Sequence, residues 1–316
     1  MNKNREPYAL HIRVTAVIPT LNRPEDLSNA VKSILRQSRL PDELVIIDQS
    51  TGTDSEVLIK GLFENDGDED ELIKLIYVRD RSISGLVHAK KAAVAVGSGD
   101  IMMFLEDDVI LSTDYIFNMI QGFFDHPEML GSCGIITNVK SYSRLRLALF
   151  NLFHRGIFFD RRVSVNYGPK RWSGQMIQST YLSGGVSAFR RCVFESVKFD
   201  TKNGFFERED VDFSFRAVRL FGKEKFFINT SARLEHLKSE VNRDKFSSNR
   251  ERKVRETICF YKKHRDQKWA LANLLWLLIY LSMESIFVSI RSRHFGILIG
   301  YLKGATKGLC WRIRSF

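Results

Sequence analysis

The chain has 316 residues, 44% of them hydrophobic and 27% charged, with six prolines and a formal net charge of +11. That is room for one large α/β domain with an appendage, or for two modest domains, and the composition excludes a disordered or collagenous chain. Cys133, Cys192, Cys259 and Cys310 lie far apart with no Cys-x-x-Cys pair, so neither a zinc ribbon nor a disulfide framework organises the chain, and a reducing, cytosolic setting is expected. Asn4, Arg5 and Glu6 precede any apolar run, unlike a secretory signal, which places the expected site of action inside the cell.

Residues 13–19 carry Val14, Ala16, Val17 and Ile18 in a run that Pro19 ends, which predicts a buried strand. A helix is predicted over 24–37 from the spacing of Leu27, Ala30, Val31, Ile34 and Leu35. A second strand at 43–47 ends in Asp48, a helix follows at 57–63, and a third strand spans 72–78. An alanine-rich helix at 87–96 stops at Gly97 and Gly99, and a fourth strand occupies 101–105. Alternating strands and helices imply right-handed crossovers and an α/β fold with a mostly parallel central sheet flanked by helices. In such sheets ligands lie at the carboxyl ends of the strands.

Polar residues cluster at three of those ends: Pro19-Thr20-Leu21-Asn22-Arg23, then Asp48, then Glu106-Asp107-Asp108. No Gly-x-Gly-x-x-Gly turn follows the first strand and no Walker loop is present, which argues against a dinucleotide dehydrogenase and a P-loop NTPase. Three adjacent carboxylates repel unless a cation neutralises them, and hard oxygen ligands favour magnesium or manganese. The alternative is that these acids merely cap a helix over 112–120. Asp68-Glu69-Asp70-Glu71 is more acidic still, yet it precedes its strand and lacks calcium-loop spacing, so it reads as a solvated loop.

With these motifs the chain resembles glycosyltransferase family 2, the inverting GT-A enzymes that use nucleotide-diphospho-sugars, from Val14 to about His236. The resemblance implies that Pro19, Thr20, Asn22 and Arg23 contact the nucleotide and that Asp48 reads its base. A carboxylate there accepts the imide N–H of uracil or thymine, so a UDP or dTDP donor is expected. Phe104-Leu105-Glu106-Asp107-Asp108 is similar to the family's Asp-x-Asp motif with Glu106 replacing the first aspartate. It implies Glu106 and Asp108 as ligands to Mn2+ or Mg2+, with Asp107 on the nucleotide-sugar. Gly85-Leu86-Val87-His88-Ala89-Lys90-Lys91 departs from the usual Gly-Leu-x-x-Ala-Arg-Asn, and Lys90 offers the diphosphate a point charge or faces solvent.

Leu182-Ser183-Gly184-Gly185 resembles the paired-glycine motif beside the donor sugar, where Gly184 and Gly185 let backbone approach a ligand. Phe206-Glu207-Arg208-Glu209-Asp210 resembles the segment that carries the catalytic base. This implies Asp210 as base and Glu209 as the residue orienting the acceptor, although acids also suit any helix start. His236 closes the resemblance as a metal ligand or as a hydrogen-bond donor to a phosphate oxygen. No Gln-x-x-Arg-Trp segment follows, so addition of a single sugar is expected rather than processive synthesis. The basic and aromatic stretch 141–174 either shapes the acceptor side, touches lipid headgroups or is a surface insertion.

From Glu240 onward the chain holds 16 Lys and Arg against 6 Asp and Glu, which is +10 of the total +11. The division drawn from this is a catalytic domain at 1–240 and a basic helical region at 241–316. Within the latter, 269–290 is apolar but for Glu284, leaving 15 uncharged residues to Met283, and basic residues flank it. That is marginal for a spanning helix, which needs about 20 residues. Ser282, Ser285, Ser289 and Arg293 make one polar stripe, so a monotopic helix on the cytoplasmic leaflet is expected, with a core helix as the alternative. The expected partners are thus a nucleotide-diphospho-sugar, a glycan or lipid-linked glycan acceptor and an anionic membrane, and no nucleic acid. Rival readings are a membrane-tethered glycan-binding pseudoenzyme and a sugar nucleotidyltransferase.

Overall fold

A computed structural model of the chain describes residues 12–64, 73–168, 172–203, 205–206, 208–238 and 246–313. The acidic run 68–71 lies outside the described residues. The first strands are β1 (Val14–Thr20), β2 (Glu43–Asp48), β3 (Lys74–Arg79) and β4 (Ile101–Leu105), and β1 pairs in parallel with both β2 and β4. Every residue of β1, β2 and β4 is buried, as expected of a sheet covered on both faces. The predicted stop at Pro19 falls one residue early, since β1 runs on to Thr20. Its ladder with β4 ends at Val17, while that with β2 continues to Thr20, so Pro19 lacks an N–H only where a neighbour is already gone on one side.

Between these strands lie α1 (Pro24–Leu35), α2 (Asp54–Glu64) and α3 (Leu86–Val96). α1 starts with Pro24 at its first turn and with Glu25 and Asp26 against the positive end of its dipole. The remaining strands are β5 (Val109–Leu111), β6 (Gly131–Ile136), β7 (Met176–Gln178), β8 (Val186–Arg190) and β9 (Phe226–His236). The sheet order is β3-β2-β1-β4-β8-β6-β9-β5, with β7 paired to β9. β8 runs antiparallel to β4, which brings the loop before β8 to the carboxyl end of β4. Helices α4 (Tyr115–Asp125), α5 (Arg144–Phe153), α6 (Arg161–Tyr167), α7 (Val193–Ser196) and α8 (Glu209–Phe221) complete this part of the chain.

Three further helices follow: α9 (Phe246–Lys263), α10 (Ala270–Ser292) and α11 (Gly296–Cys310). Gly300 and Gly304 of α11 lie against the carbonyls of Ser247 and Glu251, where a Cβ would overlap, so α9 and α11 pack backbone to backbone. A second apolar cluster joins Val254, Ile258, Leu274, Leu277 and Leu281 to Val211 and Phe215 of α8 and to Phe158. Beside it, buried Asp212 of α8 pairs with Lys263 at 2.8 Å and Arg216 at 2.8 Å, and its Oδ1 lies 3.1 Å from His264 Nε2. The C-terminal helices therefore brace the helix that begins with Glu209 and Asp210.

The middle of the expected polar stripe on 269–290 faces the other way, while Ser282 is half-buried and Arg293 exposed. Ser285 and Ser289 are buried against the protein, and Ser285 bonds back to the Leu281 carbonyl at 2.6 Å. A small hydroxyl that satisfies itself on its own helix packs inward at little cost. Glu284 also points inward, 2.8 Å from Arg250. What faces out is apolar: Leu271, Leu275, Ile279, Met283, Ile286, Phe287 and Ile290 are all exposed. By length and composition, α10 is the one helix among the described residues suited to crossing a membrane. Helix α5 leans on it, with Phe153 stacked on Trp276 at 4.8 Å and the Trp276 indole donating to the Leu152 carbonyl at 2.9 Å.

Candidate active site

The carboxyl ends of β1, β2 and β4 converge as the alternation of strands and helices predicts. Thr20 donates to Asp107 Oδ2 at 2.8 Å and Arg23 to its Oδ1 at 2.9 Å, so Asp107 ties the turn after β4 to the turn after β1. Burial pushes the Asp107 carboxyl up to about 6, against the pull of Arg23 and Thr20. Asn22 holds φ at 54°, a left-handed conformation that asparagine tolerates, and its amide donates to Ser50 Oγ at 2.7 Å. Pro19 is buried in β1. Asp48 is wholly buried, accepting from the Tyr77 hydroxyl at 2.7 Å and the Ser50 amide at 2.8 Å.

Glu106, Asp108 and His236 meet across β4 and the end of β9, each offering a ligand atom, with those atoms within 4.8 Å of one another. His236 Nε2 lies 3.0 Å from Glu106 Oε2 and 3.1 Å from Asp108 Oδ1. Burial lowers the imidazole pKa, but hydrogen bonds and charge from Asp108 and Glu106 outweigh it and push it up to about 9. Two carboxylates and an imidazole, with no Lys or Arg ion-paired to Glu106 in the described residues, are a group that can hold a divalent cation.

The second acidic pair is closed by protein cations. Lys90, only 2% exposed, donates to Glu209 Oε1 at 2.5 Å and to the Gly184 carbonyl at 2.8 Å. It is therefore neither a solvent-facing lysine nor free of protein partners. Burial pushes the Glu209 carboxyl up; Lys90 pulls against this, and neighbouring Asp210 adds to it. Asp210 Oδ2 accepts from Arg162 Nη1 at 2.6 Å and from the Gly184 amide at 3.1 Å, and Oδ1 from the Val211 amide at 2.7 Å. Burial alone would raise Asp210 too, but Arg162 outweighs it and holds the carboxyl below its ordinary range.

Gly184 and Gly185 stand between the two groups. A Cβ on Gly184 would crowd Glu209, Lys90 and Asp210, and one on Gly185 would overlap the Glu106 side chain. The amide of Glu106 also donates to the Gly185 carbonyl at 3.1 Å. The close approach that these glycines permit is thus to the site's own side chains. Sequence reasoning did not single out Arg162, Asp160 or Tyr77. Arg162 is one of several cations in 141–174, and nothing in its spacing sets it apart.

The profile of the family described as glycosyl transferase family 2 matches residues 15–198, more than half of the chain and inclusive of both turns and the paired glycines. The chain belongs to that family. It is 23% identical over 189 residues to the O-antigen chain rhamnosyltransferase RfbN of Salmonella typhimurium, covering 59% of this chain and 55% of that protein. It is 24% identical over 197 residues to the glucosyl-dolichyl phosphate glucuronosyltransferase of Haloferax volcanii, covering 61% and 58%. The aligned part thus spans little more than half the length of these relatives. Among solved structures, the mannosyltransferase PcManGT from Pyrobaculum calidifontis, in complex with GDP-Man and Mn2+, superposes with a TM-score of 0.59 at 14% identity, over 95% of this chain and 87% of that one. This likeness shows the GT-A fold.

Proposed function

We propose that this family 2 protein transfers one sugar, with inversion, from a UDP- or dTDP-type nucleotide-sugar to a hydroxyl of a lipid-linked or cell-envelope glycan at the cytoplasmic membrane face. The observation that carries the reading is that Gly184 lies against Glu209 and Asp210 while the adjoining Gly185 lies against Glu106, which clusters with Asp108 and His236. Glu106, Asp108 and His236 would hold Mn2+ or Mg2+, which when bound supplies positive charge against the departing diphosphate. Asn22 and Arg23 rim the nucleotide side, with Thr20, Asp48 and Asp107 set behind them. Asp210, ionised at neutral pH, takes the acceptor's hydroxyl proton, and Glu209, fixed by Lys90, orients that acceptor.

The two curated relatives support the acceptor class, one being named for an O-antigen chain and the other for glucosyl-dolichyl phosphate. The outward apolar face of α10 and the exposed Lys268, Arg291 and Arg293 at its ends suit an anionic bilayer. Incubating the full chain and Mn2+ with a panel of UDP-, dTDP- and GDP-sugars tests the reaction. One donor is expected to be consumed, and consumption to stop with EDTA and in Asp210→Asn; consumption of none would leave a glycan-binding protein instead. Binding to anionic liposomes is expected to fall in Leu275→Glu/Phe287→Glu, and an unchanged affinity would remove the membrane from the proposal.

A further inference from the structure

We infer that Arg162 is a positioning residue for Asp210, anchoring one carboxylate oxygen so that the other is presented to the acceptor hydroxyl. The inference rests on the reading of Asp210 as the base. Arg162 Nε and Nη2 grip Asp160 at 2.7 to 3.0 Å, leaving Nη1 to reach Asp210 Oδ2 at 2.6 Å. The guanidinium plane is thus oriented by one carboxylate before it meets the second, the fork geometry that lysine lacks. Both side chains are mostly buried, at 13% and 17% exposure, which weakens competition from water.

Oδ2 already takes two donors, Arg162 and the Gly184 amide, whereas among the described residues Oδ1 takes only the Val211 amide. An oxygen has two lone pairs, so Oδ1 is the atom with capacity for an incoming proton. In the transfer step the acceptor O–H bond breaks and its proton passes to Oδ1. The acceptor oxygen bonds to the anomeric carbon, and the bond from that carbon to the diphosphate breaks with its electron pair leaving on the nucleotide. The charged groups around Asp210 include Arg162 and Asp160 from the α6 side, Lys90 from α3, its own neighbour Glu209, and Glu106 across Gly185, whose charge reaches Glu209; the Cys133 thiol on β6 also feels its charge. Removing Arg162 leaves three acids, Asp160, Glu209 and Asp210, with one lysine.

Carboxyl 13C titration of Asp210 in the full chain, assigned by difference from Asp210→Asn, reads the effect without turnover. An opposite charge at this range lowers a carboxyl pKa by about 1–3 units. Arg162→Gln is expected to raise the Asp210 midpoint by that amount, and Arg162→Lys to restore part of it. Where a donor in the UDP, dTDP and GDP panel is consumed, Arg162→Gln is expected to move the acid limb of kcat/KM upward and lower kcat while KM for the donor stays. An unmoved Asp210 midpoint in Arg162→Gln, or in Arg162→Lys should Gln not fold, overturns the inference. Wild-type turnover in Asp210→Asn overturns the base itself and is a separate result.

Discussion

Two groups of carboxylates face each other across Gly184 and Gly185, and they are neutralised in different ways. Glu209 and Asp210 each have a cation of their own, Lys90 and Arg162, supplied by elements far away in the chain. Glu106 and Asp108 both reach the imidazole of His236. Fixed Lys and Arg partners set the ionisation and direction of side chains that handle protons. Under the proposed function, Glu106, Asp108 and His236 are the group that would take an exchangeable cation, and Glu209 and Asp210, each held by a fixed cation, are the acid–base pair.

The largest effect is expected where a fixed cation is removed. Lys90→Met strands a buried Glu209, which should cost about 3–5 kcal/mol in chemical denaturation. A stability within about 1 kcal/mol of wild type would mean that Glu209 is neutral in the fold and the contrast is overstated. Asp108→Asn attacks the other group: Mn2+-dependent donor consumption should fall by more than about 100-fold, beyond the loss typical of outer-shell partners. Its thermal unfolding should move far less than that of Lys90→Met.

Gly184→Ala crowds Lys90, Glu209 and Asp210 together and should cost about 1–3 kcal/mol by overpacking, read as a lower denaturation midpoint. Gly185→Ala meets a single side chain, Glu106, and should instead weaken Mn2+ binding measured by titration calorimetry. The smallest effect concerns a carboxylate held mainly by neutral donors. Burial raises the Glu43 pKa, but hydrogen bonds from Ser98 and Thr15, with Lys74, outweigh it and bring it from 4.5 to about 2. A depressed carboxyl pKa stabilises the fold above the unfolded value and loses that contribution as pH falls through the folded one. Wild type should therefore lose stability between pH 4.5 and about 2 more steeply than Glu43→Gln, as followed by circular dichroism.

Much of the catalytic half was legible because its signals are local. The apolar runs that became β1, β2 and β4 are continuous, and their ends carry Thr20, Asp48 and Glu106 at positions a parallel sheet must bring together. Asp107 reads in sequence as one more acid beside two ligands, whereas Thr20 and Arg23 make it the tie between two turns. Lys90 sits on an alanine-rich helix with nothing nearby to mark it as buried, since its partner Glu209 is 119 residues away. The serines of α10 show the limit of periodicity: spacing locates a stripe but does not say which side of the helix meets the protein.

By itself the sequence determined the alternation of strands and helices, the strand ends where chemistry gathers, the family signature, and the division between a neutral body and a basic tail. These follow from nearest-neighbour patterning, which the backbone period reads directly. Only the tertiary structure decided how each charge is matched. It put Lys90 on Glu209, Arg162 on Asp210 and His236 between Glu106 and Asp108, and it turned the apolar face of α10 outward. Charge pairing acts over a few ångströms in space, and distance along the chain carries no record of it.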